Sequence, residues 1–348
     1  MTLDLLILGN APMVKMLDRV KLAEASGYDT VWLADERFYR EVYSCLGYFA
    51  QNTSRVRLGP CVTDPYARHP ALTAMAIATL DEISNKRAIL GIGAGISGFA
   101  ELGIDRKKPA RAISEAIEVI RMLLRGETVT YDGEVIQFKE GKLNFAPIRA
   151  DIPIYVASNG PLGQRTAGAC ADAAFMEAGG NAPEVKAFRA RLDDGARKAG
   201  RDPKSVRLIV RLNACIASDG QAARDTLRPT VARLLGAGRL KFETAEEQGL
   251  TLPEDALASV QGAHYAAGVT PYLPLLPYVT DRHINAFTLA GNVEEVTARV
   301  IELRQAGVDG IIIMPFAPEG GAIEDTIAKM GSEVWPAAQD KQGAGHEL

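Results

Sequence analysis

The sequence predicts an α/β chain folded as a (β/α)8 TIM barrel. Short apolar runs recur eight times along it, separated by helical patterns. The runs are continuous in Val, Ile and Leu, the pattern of parallel strands buried on both faces. Strand and helix alternate, which calls for crossover connections and a parallel sheet. Eight such units suit a closed barrel. An open doubly wound sheet is the competing architecture, and it would usually need fewer units or a second domain.

The elements follow in order. LDLLIL (3–8) is the first strand, and the helix from Met13 to Ser26 stops at Gly27. TVWLA (30–34) comes next, then a helix from about Phe38 to Gln51 and the strand VRLGPCV (56–62). Pro70 opens the third helix, which runs to about Ile83. AILGIG (88–93) precedes a helix over 109–124, where Ile113, Ile117, Ile120 and Leu124 recur at spacings of 3 and 4. Asp132-Gly133 then marks a hairpin turn, and residues 127–147 read as an inserted hairpin. The rhythm resumes with PIYVAS (153–158), a helix to about Cys170, AAFMEA (173–178) and a helix over 183–198. RLIVRLNACIA (207–217) is the seventh strand, with a helix from Ala222. Residues 238–282 are irregular and proline-rich, with one expected helix (254–267), and read as a variable insertion. A helix from Val293 to Ala306 leads into the eighth strand, GIIIMPF (310–316). The expectation is one domain over 1–348.

Of 348 residues, 47% are hydrophobic and 24% charged, which excludes a disordered chain, a collagen-like repeat and a disulfide scaffold. The net charge of −4 leaves no basic surplus for a nucleic acid partner. No apolar stretch approaches the roughly 18 residues of a membrane span. MTLDLLILGNAP has no basic flank, so it does not read as a signal peptide. Cys45, Cys61, Cys170 and Cys215 form no CxxC pair, and the four His form no HExxH, so no metal site is expected. A cytoplasmic protein with reduced thiols is the expectation.

Barrel chemistry sits at the C-terminal ends of the strands. Those ends are Gly9-Asn10, Asp35-Glu36, Thr63-Asp64, Gly93 to Gly98, Ser158 to Pro161, Glu177, Asn213 and Met314 to Phe316. GIGAGISG (91–98) matches a dinucleotide fingerprint as a string, but it neither opens a helix at once nor belongs to the first unit. It reads better as a glycine loop that lets a flat ligand or phosphate approach the backbone; the plain alternative is a strand-to-helix turn. ASNGP (157–161) opens a helix, and exposed N–H groups there suit a phosphate. Capping by Ser158 or Asn159 is the structural alternative. Asp35 and Glu36 suit acid/base work or a ligand hydroxyl, against a role as a helix cap. His69 before Pro70 reads as a cap, Cys61 as buried and inert, and Arg37, Arg40 and Arg68 as solvated surface. His283 is too isolated to assign.

VWLADE, LGPCVTDPYARHP, ATLDEIS, AILGIGAG, PIYVASNGP and AGVDGIIIMPF occur in the order seen in the bacterial-luciferase-like superfamily, which the chain resembles. The segment Leu58 to Pro70 most resembles methylenetetrahydromethanopterin reductase and related F420-dependent enzymes. The resemblance implies a barrel that carries F420, or alternatively FMN, at its C-terminal mouth. It places Asp35 beside the ring with Glu36 behind it, backs the ring with Cys61, Val62 and Thr63, and borders the pocket with Gly93, Ala94 and Gly95. Ala157, Ser158, Asn159, Gly160 and Pro161 would hold the phosphate side. It also implies a cis peptide between Cys61 and Val62. Where many F420-binding relatives carry Asp-His, this chain has Asp35-Glu36. The implied activity is hydride transfer to or from a small-molecule substrate by a homo-oligomer, a dimer or tetramer. The alternatives are an FMN monooxygenase fed by a partner flavin reductase, and a non-catalytic flavin-binding barrel.

Overall fold

The computed structural model describes residues 1–95, 98–177, 179–238 and 245–340, apart from the side chain of Ala266. Ile96 and Ser97 of the glycine loop, Ala178 of AAFMEA, residues 239–244 of the irregular stretch and His346 lie outside the described residues. The chain divides into two compact units. The larger comprises Asp4–Met176 and Phe188–Ile209, the smaller Met1–Leu3, Glu177–Ala187 and Val210–Leu348.

In chain order β1 (Thr2–Ile7) starts in the smaller unit and continues from Asp4 in the larger, which then holds α1 (Met13–Ala25), β2 (Thr30–Leu33), α2 (Val42–Gln51), β3 (Arg57–Pro60), α3 (Pro70–Ile83), β4 (Leu90–Gly93) and α4 (Pro109–Leu124). It continues with β5 (Val129–Asp132), β6 (Gln137–Gly141), β7 (Ile154–Ala157), α5 (Pro161–Cys170) and β8 (Ala173–Glu177), whose last residue is counted in the smaller unit. β1 pairs with β2 and β2 with β3, all parallel, with Leu5 opposite Val31 and Trp32 opposite Gly59. β4, β7 and β8 pair in the same sense, with Gly93 opposite Ala157 and Val156 opposite Ala174. Parallel bridges Leu58–Ala88 and Thr63–Ile92 join the two sets.

Glycine makes that junction possible. A Cβ on Gly59 would stand 1.9 Å from the Ile89 carbonyl oxygen, and one on Gly91 would stand 2.4 Å from that of Pro60. Trp32, Tyr155 and Phe175 fill the interior with ring centroids 5.2–5.7 Å apart. Trp32 Nε1 donates to the buried Asp4 carboxylate at 3.0 Å. Burial lifts the pKa of that carboxyl to about 6, against the lowering effect of the Trp32 bond.

The hairpin β5–β6 pairs Asp132 with Gln137, so its loop is Gly133 to Ile136 and not the two-residue Asp-Gly turn expected. Glu115 of α4 explains the longer loop. Its buried carboxylate accepts the backbone N–H groups of Glu134, Val135 and Ile136 at 2.8–2.9 Å.

α6 (Ala182–Lys198) and β9 (Arg207–Ile216) each run from one unit into the other along the chain. The smaller unit continues with α7 (Gly220–Gly236), α8 (Glu254–Ala258), α9 (Asp281–Phe287), β10 (Thr288–Gly291), α10 (Val293–Gln305), β11 (Gly310–Pro315), α11 (Ile323–Lys329) and α12 (Trp335–Asp340). β10 pairs parallel to β9, and Phe316 N–H donates to the Ala214 carbonyl at 2.7 Å. A core of Val231, Tyr272, Leu275, Ile284 and Phe287 fills its helical part.

The eight expected strands are all present, and β10 adds one that the sequence reading missed. The helix expected over 254–267 stops at Ala258, and a 3-10 turn follows only at Tyr265–Ala267. Thr270–Tyr278 is a 3-10 helix, because Pro274 and Pro277 remove the donors an α-helix needs. Among the described residues no helix is long and apolar enough to cross a membrane.

Candidate active site

The C-terminal ends of β2, β3, β4 and β7 all belong to the larger unit, and the geometry ties them together. The peptide between Cys61 and Val62 is cis, as the resemblance implies. Beyond it Thr63 rejoins the sheet: its N–H donates to the Gly91 carbonyl at 3.0 Å, and its carbonyl accepts from Gly93 N–H at 2.9 Å. Gly93 is where three segments meet. A Cβ there would lie 2.8 Å from Val62 Cγ2 and 3.1 Å from the Ala157 carbonyl oxygen. Val62, Gly93 and Ala157 therefore pack as one surface of small groups, with Ala94 next along the chain.

Asp35 stands two residues past the end of β2, and its side chain is 14% exposed. Burial raises its pKa; Thr63, Arg37 and Arg68 oppose the rise, and Glu41 adds to it. Neither Asp35 nor Glu36 caps a helix, which corrects the structural alternative. α2 begins only at Val42, later than expected, and its cap is Glu41, whose carboxylate accepts Ser44 N–H at 2.7 Å. The intervening chain turns at Phe38, which has φ of 65° and is 71% exposed. Residues 35–41 wall a surface depression with Ala67, Arg68 and Leu102. Glu36 is half-buried in that wall.

Arg37 is not the solvated residue the sequence suggested. Its guanidinium donates to the Asp35 carbonyl at 3.2 Å and pairs with Asp64, whose side chain is 1% exposed. Asp64 in turn accepts the N–H groups of Tyr66 and Ala67 at 2.9 and 2.8 Å. Phe99 lies between Arg37 and Arg106, with guanidinium carbons 5.4 and 5.1 Å from its centroid. Arg106 also donates to the Gly95 carbonyl at 2.5 Å. Gly95 and Gly98 have left-handed φ of 63° and 71°, a conformation that glycine adopts without a Cβ penalty. A side chain on Gly98 would strike Arg37 at 2.4 Å.

At 157–161 the cap of α5 is Gly160, with no side-chain hydrogen bond, so Ser158 and Asn159 do not fill the expected capping role. Gly160 has extended backbone and open space where a Cβ would stand. Ser158 instead lies against Gly163, and the Asn159 carbonyl accepts from Gln164 Nε2 at 2.9 Å. Pro161 is the first helical residue. The backbone N–H groups of the first turn therefore face a helix end without a side-chain cap.

Other candidates resolve as structural. His69 Nδ1 accepts Ala71 N–H at 3.1 Å as the cap of α3, and Nε2 meets the Gln137 carbonyl at 3.0 Å. That fixes the Nε2–H tautomer and ties α3 to the hairpin. His283 closes a capping box with Thr280 at the start of α9. Arg40 donates to the Gly9 carbonyl at 3.1 Å, and Arg68 pairs with Glu41 at 2.9 Å. Cys61 is half-buried and forms no disulfide. Glu177 and Met314 belong to the smaller unit, where Arg211 reaches them at 3.4 and 3.2 Å. Asn213 lies on β9 in that unit. Among the described residues no cluster of three or more His, Cys, Asp or Glu could hold a metal ion.

Parallel strands with crossover helices, and a cluster of small residues where three of those strands end, define an α/β protein of the barrel class. The chain belongs to the luciferase-like monooxygenase family, which it matches over residues 7–310. It is 35% identical over 319 residues to the 5,10-methylenetetrahydromethanopterin reductase of Archaeoglobus fulgidus, covering 91% of this chain and 93% of that protein. It is 36% identical over 339 residues to the enzyme of the same name from Methanolobus tindarius, covering 96% and 99%. The solved structure of the coenzyme F420-dependent tetrahydromethanopterin reductase from Methanopyrus kandleri superposes with a TM-score of 0.83 at 27% identity, covering 96% of this chain and 98% of that one. The fold is accordingly the luciferase-like (β/α)8 barrel.

Proposed function

We propose that this chain is an F420-dependent oxidoreductase that passes hydride to or from a small organic substrate. The observation that carries the reading is the cradle at Gly93, where Val62 and Ala157 leave no room for a side chain. Beside it stands the fully buried Thr63, whose hydroxyl reaches the Asp35 carboxylate. A flat ring fits the small groups of the cradle, with the Thr63–Asp35 pair beside it to meet a polar edge. Similarity along nearly the whole chain to reductases of that cofactor class supports F420 as the ring.

When bound, F420 supplies hydride chemistry at its deazaflavin C5. The chain's own residues do the rest. Val62, with Cys61 before it, backs the ring, while Gly93, Ala94 and Gly95 border it. Thr63 Oγ1 donates to the Asp35 carboxylate. Asp35, with Glu36 behind it, holds or accepts a proton at its carboxylate oxygen. Arg37 fixes the Asp35 backbone and joins it to Asp64. Ala157 to Pro161 present the open first turn of α5 to the phosphate. A homo-oligomer in the cytoplasm, where its four cysteines would stay reduced, completes the reading.

Anaerobic assay tests it. Purified protein with reduced F420 and the one-carbon carrier for which the relatives are named should oxidise the deazaflavin, seen as recovery of its absorbance and fluorescence. Oxygen-dependent turnover of reduced FMN, with none of F420, would replace this reading with that of an FMN monooxygenase.

A further inference from the structure

Phe38 is the third residue of a turn closed by Tyr39 N–H, which donates to the Glu36 carbonyl at 3.3 Å. Its φ of 65° is left-handed, a conformation that suits Gly or Asn at this turn position and strains a bulky residue. The other non-glycine residues of positive φ among the described residues are Asn85, Lys86, Lys108 and Glu140, all polar. Phe38 is also 71% exposed, and among the described residues no large hydrophobic residue is more so. Burial of the ring therefore does not offset the strain. Strain of this kind clusters at ligand clamps and active sites.

Phe38 lines the same depression as Asp35, together with Tyr39 and Leu102, both exposed. The loop of Leu102 is fixed to that wall: Gly98 packs against Arg37, and Ile104 N–H closes the loop on the Phe99 carbonyl at 2.8 Å. All of these residues belong to the larger unit. The charged side chains around them are already engaged. Arg37 pairs with Asp64, Arg40 donates to the Gly9 carbonyl, and Arg68 pairs with Glu41, whose carboxylate also accepts Ser44 N–H. Beside Asp35, what is left to meet a ligand is two rings and a leucine. Such a rim holds a flat apolar group by stacking and by excluding water, not by charge.

We propose, on the reading of Asp35 as a site residue, that Phe38 determines substrate specificity: it grips a flat aromatic part of the organic substrate at the mouth of this depression, with Tyr39 and Leu102 completing the rim. The strained turn holds the ring out where a ligand can stack on it. The cradle residues assigned to F420 do not include Phe38, so its loss weakens the hold on the substrate and leaves that on the cofactor.

Two substitutions in the full chain test this. Phe38→Asn removes the ring and suits the left-handed turn, and Phe38→Trp keeps an aromatic face. The probe is tetrahydromethanopterin, the carrier for which the relatives are named, with binding read by isothermal titration calorimetry. Its affinity should fall about tenfold or more in Phe38→Asn and stay within about threefold of wild type in Phe38→Trp. The melting temperature of Phe38→Asn should be unchanged or higher, and F420 affinity, followed by fluorescence, should be the same in all three proteins. Equal carrier affinity in wild type and Phe38→Asn overturns the inference, as does a wild type that does not bind the carrier. A lower melting temperature, or dissociation of an oligomer on size exclusion, with carrier affinity unchanged assigns Phe38 to packing or to a second copy of the chain and overturns it too. A wild type that fails to bind F420 defeats the oxidoreductase reading, while the carrier titrations still decide the role of Phe38.

Discussion

Gly93 holds the tightest requirement at the level of single residues. With 2.8 Å between a new Cβ and Val62 Cγ2, Gly93→Ala can be accommodated only by moving Val62 or the strand beside it. Overpacking of this kind costs about 1–3 kcal/mol. The expected outcome is a lower melting temperature together with weaker F420 binding by fluorescence quenching; unchanged values for both would contradict the packing argument. Asp4 makes a prediction of opposite sign. Its folded pKa, about 6, lies above the ordinary 3.8, so the folded protein holds that proton longer than the unfolded chain. The stability this confers is complete below about pH 4 and is lost as pH rises through 6. Asp4→Asn keeps an acceptor for Trp32 and removes the buried charge. It should therefore stabilise the protein at pH 8 by about 1–3 kcal/mol and by little at pH 4, measured by denaturant unfolding. Asp35, Thr63 and Gly93 were legible as strand ends. The Arg37–Asp64 pair was not, because it joins residues 27 apart in sequence, which no local pattern encodes.

At the level of elements, two segments carry tests. Glu115 holds the hairpin with three charge-assisted hydrogen bonds. Glu115→Gln replaces one acceptor oxygen with a donor that opposes the hairpin N–H groups, and each lost bond to a charged group costs about 1.5–3 kcal/mol. Hydrogen exchange should speed up at residues 134–136 while the strands of the larger unit keep their protection. Gly160 is extended, with open space at its Cβ, so Gly160→Val leaves the fold intact apart from about 1 kcal/mol of capping preference. Its branched side chain would stand before the first turn of α5, and F420 affinity should fall with little change in melting temperature. Equal affinity would remove 157–161 from the site. α4 was legible to its bounds because Pro109 opens it and its apolar spacing is regular. α2 was expected too early because the chain spends 35–41 on the pocket wall. α9 and β10 were missed because the prolines around 270–278 masked any periodic signal, and β10 has only four residues.

On the scale of the whole molecule, the strand count came from continuous apolar runs, a signal that burial on both faces imposes on every parallel strand. Six short motifs in family order pointed to the barrel's chemistry where each alone would not have done so. Pocket walls, hydrogen-bond partners and the two-unit division are products of tertiary contact, and periodicity does not encode them. The central claim is that the Val62–Gly93–Ala157 cradle, with Thr63 and Asp35 beside it, is a deazaflavin site. Its most direct test is the titration of purified apoprotein with F420 and, separately, with FMN, followed by fluorescence. The account predicts saturable F420 binding that is tighter than FMN binding and is weakened by Gly93→Ala. Micromolar FMN binding with none for F420, or F420 binding indifferent to Gly93→Ala, would contradict it.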